Sequence, residues 1–256
     1  MREDISFEDD VTIVTGGASG IGQGVVEGFA AEGSNVVIAD IDTDRGPVVA
    51  DEIQDEHDVG VTFIYTDVSD YDSCAETVEE TVSEYGSVDN LINVAAGGLQ
   101  NPEDLSQPFI DEVPDNWEPH IQVTFRGPLN MTHNVIPHMR DNGGGSVVNF
   151  ASDSYKGQDP DLTVYAATKA GVVTFTKSVA KEVGQYDIRV NCISPSTTRT
   201  PGTEEWLDKY GDKIVESYPL GRVGLPKDHA NAAIFLSSDA AEWITGQVIS
   251  VNGGFI

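Results

Sequence analysis

Seven short apolar runs, separated by stretches of helical periodicity, constrain the fold of this chain most. The runs are VTIVT, NVVIAD, VTFIYTDV, NLINVAA, SVVNFAS, IRVNCISP and QVISVNG. Strands buried on both faces have continuous apolar sequences, and parallel pairing requires a crossover between strands. A length of 256 residues suits one substantial core. The sequence predicts a single α/β domain over residues 1–256, with a doubly wound seven-stranded parallel sheet and helices on both faces.

A glycine cluster follows the first run, in TGGASGIG at residues 15–22, and opens a predicted helix. In such a turn Gly16 allows a tight bend, Gly20 lets the backbone approach a pyrophosphate, and Gly22 lets helix and strand pack closely. Free N–H groups and the helix dipole favour anions at a helix N-terminus. A strand, a glycine turn and a helix in this order predict a Rossmann-type dinucleotide-binding domain.

Tyr165 and Lys169 are four residues apart on a predicted helix, and Ser152 lies thirteen residues before the tyrosine. Residues at this spacing share a helix face, where an ammonium group favours the phenolate form of a neighbouring tyrosine. A phenol with an ordinary pKa of about 10 can then work near neutrality. The spacing alone is common on solvated helix faces, but beside a nucleotide-binding turn it predicts proton transfer to or from an alcohol.

From about Phe7 to its end, the chain resembles the short-chain dehydrogenase/reductase family. The matching segments are TGGASGIG, Asp67-Val68 after the third strand, NVAAG (93–97), the trio of Ser152, Tyr165 and Lys169, SPSTTRT (194–200), PLGRVGLP and ITGQVISVNGG. NVAAG alters the family's NNAG segment, and Ser196 replaces the glycine that usually follows the proline.

The resemblance implies a role for each member of the trio. Tyr165 would be the general acid/base, Lys169 would lower its pKa and bind the nicotinamide ribose, and Ser152 would hydrogen-bond the substrate oxygen. Ser154 is a nearby hydroxyl at a shorter spacing. Asn93 would also pin neighbouring strands, and Ile193 would flank the nicotinamide. The implied cofactor-binding residues are Gly16, Ser19, Gly20, Ile21, Gly22, Asp40, Ile41, Asp67, Val68, Asn93, Ala95, Tyr165, Lys169, Pro195, Thr198 and Thr200.

The residue at the end of the second strand favours NAD(H) as the cofactor. Asp40 can accept both hydroxyls of an adenosine ribose, and its charge repels a 2'-phosphate. Neither Ser19 nor Ile41 offers the cation that phosphate-binding members often use, and Arg45 is the only nearby one. The sequence therefore predicts NAD(H) rather than NADP(H).

Thr124 occupies the place where the family has a relay asparagine, in a long helix predicted over residues 114–140. That asparagine acts largely through its backbone carbonyl, which holds a water beside the lysine. Pro128 has no N–H to give to the carbonyl four residues earlier. One interpretation is that Pro128 kinks the helix and exposes the Thr124 carbonyl for the relay. The alternative is that Pro128 sits in a tolerated irregular turn.

Residues 196–218 are predicted to form a loop and a short helix that act as a lid over the cleft. Trp206 and Tyr210 share one face of this helix, where they line an apolar pocket or pack against the domain. Because Arg199 lies on the lid, an anionic substrate remains a possibility. Beyond Ser152, the residues Asp153, Tyr155 and Gln158 are placed to border the same pocket.

Acidic residues outnumber basic ones by 43 to 14, which gives a formal charge of −29. Such a surface repels nucleic acid and anionic membranes, so neither is an expected partner. Molar salt shortens the Debye length to about 3 Å and relieves the self-repulsion. The composition therefore predicts an enzyme of a salt-accumulating organism, a halophile, with an unusually acidic mesophilic protein as the alternative.

Targeting and metal motifs are not expected. No apolar stretch approaches the ~20 residues of a membrane span, and the acidic start is unlike a signal peptide, so the predicted location is the cytoplasm. Cys74, Cys192 and the five histidines have no metal-ligand spacing, which predicts no catalytic metal.

Three functions fit these observations. The first is an NAD(H)-dependent oxidoreductase that interconverts a secondary alcohol and a ketone. The second is an NADPH-dependent 3-oxoacyl thioester reductase, and the third is a catalytically silent NAD-binding protein, which Thr124 makes conceivable. The resemblance also implies a homotetramer formed through helices over residues 114–140 and 163–185, with a dimer as the alternative.

Overall fold

The computed structural model of the chain describes residues 5–97, 107–157 and 159–255. Seven strands form one sheet in the order β3-β2-β1-β4-β5-β6-β7, and every neighbouring pair is parallel. The strands are β1 (Val11–Thr15), β2 (Asn35–Asp40), β3 (Val61–Tyr65), β4 (Asn90–Asn93), β5 (Gly145–Phe150), β6 (Ile188–Pro195) and β7 (Val248–Val251). The predicted seven-stranded parallel sheet is confirmed.

Helices alternate with the strands and cover both faces of the sheet. They are α1 (Gly20–Ala31), α2 (Arg45–Glu56), α3 (Tyr71–Tyr85), α4 (Gly127–Asn142), α5 (Thr163–Val183), α6 (Glu204–Val215) and α7 (Pro226–Ser237). One buried apolar cluster includes side chains of α1, α2 and α7, and a second includes side chains of α3, α4 and α5. Within the described ranges, no helix has both the length and the apolar character to cross a bilayer.

The chain reverses its winding direction at β1, which pairs with both β2 and β4. At such a switch point the crossovers on the two sides diverge and open a crevice at the carboxyl ends of the strands. The β1–α1 turn lies there, with Gly16 at φ +69° and Gly20 at φ +56°. A Cβ atom on Gly22 would lie 2.0 Å from the Gly16 carbonyl oxygen. The turn therefore needs glycine both for its conformation and for its packing.

The long helix predicted over residues 114–140 is correct only from Gly127 onward. Upstream, a 3-10 turn (Pro114–Asn116) and one α turn (Trp117–Pro119) lead into a π-helix (His120–Arg126). The Gly127 N–H donates to the Gln122 carbonyl, five residues back. A proline at 128 cannot sustain the regular i to i−4 pattern, because it has no N–H to donate. The helix predicted over residues 163–185 is present as α5, with a 3-10 turn (Gly184–Tyr186) at its end.

Candidate active site

A cleft of about 890 Å³ opens at the carboxyl ends of the strands. Polar side chains from the end of β5 and from α5 line one side of it. The loop after β6 lines another side, and aromatic side chains complete the wall. The lining residues include Ile21, Ser152, Asp153, Ser154, Leu162, Tyr165, Lys169, Pro195, Ser196, Thr197, Thr198, Thr200, Trp206, Tyr210, Tyr218 and Phe255.

The structure brings Ser152, Tyr165 and Lys169 together in this cleft. The Tyr165 side chain interacts with that of Ser152. The Lys169 Nζ atom lies 5.8 Å from the centroid of the Tyr165 ring and donates a 2.7 Å hydrogen bond to the Phe150 carbonyl. Pairing of β4 with β5 ends at Asn149, so Phe150 lies just beyond the last paired residue of that ladder. The lysine is thus fixed by the end of β5 as well as by its own helix.

The electrostatics of the trio differ from the sequence-based expectation for the tyrosine. Burial lowers the pKa of Lys169 from 10.5 to about 8. Burial raises the pKa of Tyr165, and the interaction with Ser152 opposes that rise without reversing it. Lys169 was expected to lower this pKa, but its ammonium group bonds to the Phe150 carbonyl. In this structure Tyr165 therefore favours its protonated, proton-donating form.

The serine is part of a hydroxyl pair. Ser152 Oγ donates to Ser154 Oγ at 3.2 Å, and it accepts the Ser154 N–H at 3.3 Å. A 3-10 turn (Asp153–Lys156) follows Ser152 directly and folds Ser154 back toward it. The spacing to Tyr165 favoured Ser152 over Ser154 as the catalytic serine. No sequence signal predicted that both hydroxyls would line the cleft.

Asp40 lies at the end of β2, where its carboxylate accepts hydrogen bonds from the N–H groups of Ala18 and Asp42, both at 3.0 Å. The first of these bonds ties the carboxylate to the glycine turn. Ile41, the next residue, leaves 63% of its surface exposed. Arg45, the nearest cation along the chain, forms an ion pair with Glu52 at 3.4 Å. An acidic group is thus bonded to the glycine turn at the end of β2.

Ser19 and Ile21 flank the glycine turn. Ser19 has an extended backbone at the N-terminus of α1, with no side-chain capping bond. Ile21 lines the cleft. Asp67 follows β3, and its Oδ1 atom accepts hydrogen bonds from the backbone and the hydroxyl of Ser69. Val68 is buried next to it in the core. These predicted residues therefore all lie at the carboxyl edge of the sheet.

Asn93 joins two strands, as expected. Its Nδ2 atom donates to Asn149 Oδ1 on β5 at 2.8 Å and to Thr132 Oγ1 on α4 at 3.3 Å. Ala95 continues past β4, where its N–H donates to Thr15 Oγ1 at 3.2 Å. A Cβ atom on Gly16 would lie 2.9 Å from the Ala95 Cα. The altered NVAAG segment thus packs directly on the glycine turn.

The loop after β6 is hydrogen-bonded to His229, a residue that the sequence analysis did not identify. The Thr198 hydroxyl donates to the Ser196 carbonyl at 2.9 Å, and its oxygen lies 2.7 Å from His229 Nε2. His229 is buried, which lowers its pKa to about 4, so the imidazole is neutral. The predicted cofactor residue Thr198 therefore has its hydroxyl engaged within the protein. The inward face of α7, with Ala230, could have indicated the burial of His229 but not its partner.

The rest of the same loop approaches the glycine turn. Pro195 ends β6 at the cleft, and the Thr200 side chain would be 3.4 Å from a Cβ atom on Gly20. The Thr200 hydroxyl lies 3.2 Å from that of Thr203. Ile193 is fully buried two residues earlier on β6. The loop and the glycine turn thus form two sides of one groove.

Thr124 lies in the π-helix, fully buried, and its hydroxyl accepts the Gly97 N–H at 3.3 Å. One residue missed by the sequence lies nearby. The His120 ring is edge-on to the Tyr165 ring, with centroids 6.2 Å apart, and burial lowers its pKa. The irregular helix thus contacts the ring of the tyrosine.

The segment predicted as a lid is a loop followed by α6. The rings of Trp206 and Tyr210 lie with centroids 6.1 Å apart, and both residues line the cleft. Arg199 forms ion pairs with Glu204 at 3.5 Å and Asp208 at 3.4 Å, so its charge is balanced by α6. Gln158 lies outside the described residues. Among those described, no group of three or more histidine, cysteine or acidic side chains could hold a metal.

The groove has the features that a dinucleotide requires. Backbone N–H groups of the glycine turn lie at the start of α1, and Asp40 lies at the end of the neighbouring strand. The positive φ of Gly20, +56°, disfavours any other residue at the turn. Beside this groove, a phenol, a hydroxyl and an ammonium group can move a proton at a substrate oxygen.

Comparison with known proteins agrees with this geometry. A family model described as enoyl-(acyl carrier protein) reductase matches residues 16–256. The chain is 38% identical over 242 residues to the 3-oxoacyl-[acyl-carrier-protein] reductase FabG of Chlamydia muridarum, covering 94% of this chain and 95% of that protein. It is 39% identical over 257 residues to an uncharacterized oxidoreductase of Thermotoga maritima, covering 97% and 96%.

Solved structures are similar over nearly the whole chain. One is 7 alpha-hydroxysteroid dehydrogenase complexed with NADH and 7-oxo glycochenodeoxycholic acid, with a TM-score of 0.92, 29% identity and coverage of 100% and 98%. Another is 3-ketoacyl-(acyl-carrier-protein) reductase from Brucella melitensis complexed with NADH, with a TM-score of 0.87, 34% identity and coverage of 97% and 99%. The chain therefore belongs to the short-chain dehydrogenase/reductase family, whose members are oxidoreductases that use a nicotinamide cofactor.

Proposed function

We propose that this protein is an NAD(H)-dependent oxidoreductase that interconverts a secondary alcohol and a ketone. The observation that carries the proposal is the meeting of Ser152, Tyr165 and Lys169 in one cleft, next to a glycine turn to which Asp40 is bonded. A bound nicotinamide supplies or accepts the hydride. The residues proposed to hold the cofactor are the glycine turn, Ser19, Ile21, Asp40, Ile41, Asp67, Val68, Asn93, Ala95, Lys169, Pro195, Thr198 and Thr200.

The trio performs the proton transfer. Ser152 donates a hydrogen bond to the substrate oxygen and stabilises the charge that develops on it. Tyr165 gives its proton to that oxygen when a ketone is reduced, and accepts the proton when an alcohol is oxidised. The raised pKa of Tyr165 favours the protonated phenol, which is the form that reduction requires. Lys169 holds a positive charge close to the tyrosine ring.

A proton route to solvent passes through Thr124 in this proposal. The Thr124 hydroxyl is occupied by the Gly97 N–H, so the relay group would be its backbone carbonyl. Pro128 cannot donate to that carbonyl, and the π-helix departs from the regular pattern at this point. Both features support the interpretation that the proline frees the carbonyl to hold a relay water.

Asp40 supports NAD(H) rather than NADP(H), because its carboxylate repels a 2'-phosphate. Two solved relatives carry NADH in their descriptions. A second candidate is an NADPH-dependent 3-oxoacyl thioester reductase, which the names of several relatives favour. The ion pairs of Arg199 weigh against an anionic carrier at the lid, since they leave its charge balanced. The third candidate, a silent NAD-binding protein, has no need for the complete trio.

We also propose a cytoplasmic homotetramer that works at high ionic strength, with a dimer as the alternative. The chain has a formal charge of −29, and its acidic side chains repel one another. Molar salt shortens the Debye length to about 3 Å and so screens this repulsion. Sedimentation in molar salt would measure the assembly. Urea unfolding in dilute buffer and in molar salt should give a clearly higher midpoint in salt. An unchanged midpoint would contradict the proposal of high-salt function.

The test of the activity is absorbance at the reduced nicotinamide band, in molar salt, with NAD(H) or NADP(H). Secondary alcohols, simple ketones and a 3-oxoacyl thioester serve as substrates. We expect turnover with NAD(H), and a loss of about 10²- to 10⁴-fold in kcat for Tyr165→Phe with cofactor affinity retained. The exposed Tyr186→Phe is the matched control. Turnover confined to NADPH and thioester would favour the second candidate, and cofactor binding without any turnover would favour the third.

A further inference from the structure

The buried carboxylate of Asp153, next to Ser152, accepts a hydrogen bond from Asn252 near the C-terminus. Asp153 leaves only 2% of its surface exposed. Its Oδ1 atom accepts hydrogen bonds from the hydroxyls of Ser194, at 2.7 Å on β6, and Ser250, at 3.2 Å on β7. Its Oδ2 atom accepts one from Asn252 Nδ2, and Lys156 Nζ lies 3.0 Å from Oδ1. The carboxylate thus joins the turn after Ser152 to two strands and to the segment beyond them.

That segment, residues 252–255, forms a strap whose shape depends on the Asn252 side chain. Asn252 Nδ2 also donates to the Phe255 carbonyl at 2.7 Å, and Asn252 Oδ1 accepts the Gly254 N–H at 3.1 Å. The Gly253 carbonyl accepts the Leu220 N–H at 3.2 Å. Gly253 and Gly254 have φ angles of +60° and +85°, which suit the tight return of the strap.

The strap places an aromatic side chain in the wall of the cleft. The Phe255 ring stacks on Tyr218, with centroids 5.3 Å apart and an interplanar angle of 24°. Both residues line the cleft. The Tyr218 hydroxyl accepts the Thr197 N–H at 3.1 Å, in the loop after β6. A continuous series of contacts therefore runs from Asp153 through the strap to the loop that borders the cofactor groove.

Burying a carboxylate is unfavourable unless its oxygens accept hydrogen bonds. The hydrogen bonds to Asp153 therefore hold its partners in fixed positions. The proton chemistry proposed above does not use Asp153, whereas the strap loses its anchor without it. Leu162 and Trp206 make further parts of the cleft wall apolar. Together these walls suit an uncharged substrate with a bulky apolar group.

We propose that Asp153 is a positioning residue that holds the strap, and that Phe255 with Tyr218 selects substrates carrying a bulky apolar group beside the reacting carbon. This inference rests on the proposed alcohol–ketone activity. Asp153 acts through Asn252 and does not touch the reacting atoms. Its removal should therefore change the choice of substrate more than the proton transfer itself.

The test compares 1-phenylethanol with propan-2-ol for the wild type, Phe255→Ala, Asp153→Asn and the double variant, with the exposed Asp51→Asn as a charge-matched control. Phe255→Ala should lower kcat/KM for 1-phenylethanol by about tenfold and for propan-2-ol by less than about twofold. Asp153→Asn should shift the ratio in the same direction, because an amide cannot accept all the bonds of the carboxylate. The double variant should be no more affected than Phe255→Ala alone.

Hydrogen exchange of the Gly254 and Leu220 amides gives a readout without turnover. Exchange should be faster in Asp153→Asn than in the wild type and unchanged in Asp51→Asn. Asn252→Ala, which keeps the bonds of Asp153 to Ser194 and Ser250, replaces Asp153→Asn if that variant does not fold. A lowered unfolding midpoint with an unchanged substrate ratio, or additive effects in the double variant, would overturn the proposal. If no alcohol or ketone is turned over by the wild type, the proposed function fails, and unchanged exchange would separately refute the anchor.

Discussion

Replacing Lys169 with methionine would test whether this lysine is held in the fold at the expense of stability. The side chain is 3% exposed, and burial lowers its pKa from 10.5 to about 8. A base whose pKa falls on folding binds fewer protons in the folded state than in the unfolded state. Between about pH 8 and 10.5 the folded protein therefore becomes more stable as pH rises, since the unfavourable buried charge is lost.

The size of the effect follows from the two pKa values. At about 1.36 kcal/mol per unit, the buried charge costs about 3 kcal/mol near pH 7 and about 1 kcal/mol near pH 10. Methionine has a similar length and no charge, but it leaves the Phe150 carbonyl without the 2.7 Å bond from Nζ, which costs about 1–3 kcal/mol. Near pH 7 these two changes offset each other. Near pH 10 the wild type should be the more stable protein.

The assay is urea unfolding without cofactor, in molar salt, for the wild type and Lys169→Met across this pH range. We expect the free energy of unfolding of the wild type to rise by about 2 kcal/mol relative to the variant between about pH 7 and pH 10. Lys181→Met, an exposed change on the same helix, should show no such trend. A difference between wild type and Lys169→Met that stays constant with pH, or that moves in the other direction, would refute the reasoning.

Three further predictions concern single acidic or glycine residues. Asp40→Asn removes the charge that repels a 2'-phosphate, so the ratio of kcat/KM for NADP to that for NAD should rise by about tenfold or more in steady-state assays. Burial and the nearby Asp89 raise the pKa of Asp10 to about 6. Asp10→Asn should therefore stabilise the protein by about 1–3 kcal/mol above pH 6, and this gain should vanish near pH 4 in urea unfolding. Gly22→Ala should abolish cofactor binding in a fluorescence titration, because its Cβ atom would meet the Gly16 carbonyl. The control is Gly184→Ala, at φ −56° with open space around it. This variant should bind the cofactor like the wild type, and its free energy of unfolding should be unchanged or slightly higher.

The architecture could be predicted because it follows from local patterns. Runs such as NVVIAD and IRVNCISP are too apolar for a half-exposed strand, and the structure buries both within one parallel sheet. The glycine turn was also predictable, since the packing of Gly22 against Gly16 excludes every other residue type. The helix over residues 114–140 was only partly right, because the π-helical pattern before Pro128 has no signature in apolar periodicity.

The polar contacts of the site were less predictable, because they join residues far apart in the sequence. Asp153 and Asn252 are 99 positions apart, and Thr198 and His229 are 31 apart. Neither pair has a spacing that periodicity could detect. The raised pKa of Tyr165 was not predicted either, since i,i+4 spacing indicates proximity to Lys169 but not the effect of burial. Long-range packing decides these properties, and one sequence does not display it.

The bond between Thr198 and His229 has a consequence for the kinetics of cofactor exchange. A loop whose polar groups depend on a ligand loses order when that ligand leaves, and the next ligand must restore that order. Here a neutral, buried imidazole satisfies the Thr198 hydroxyl from beneath the groove. The floor of the groove is thus preorganised, and little of the binding free energy is needed to order it. We therefore expect cofactor association to be limited by diffusion and not by rearrangement of this loop.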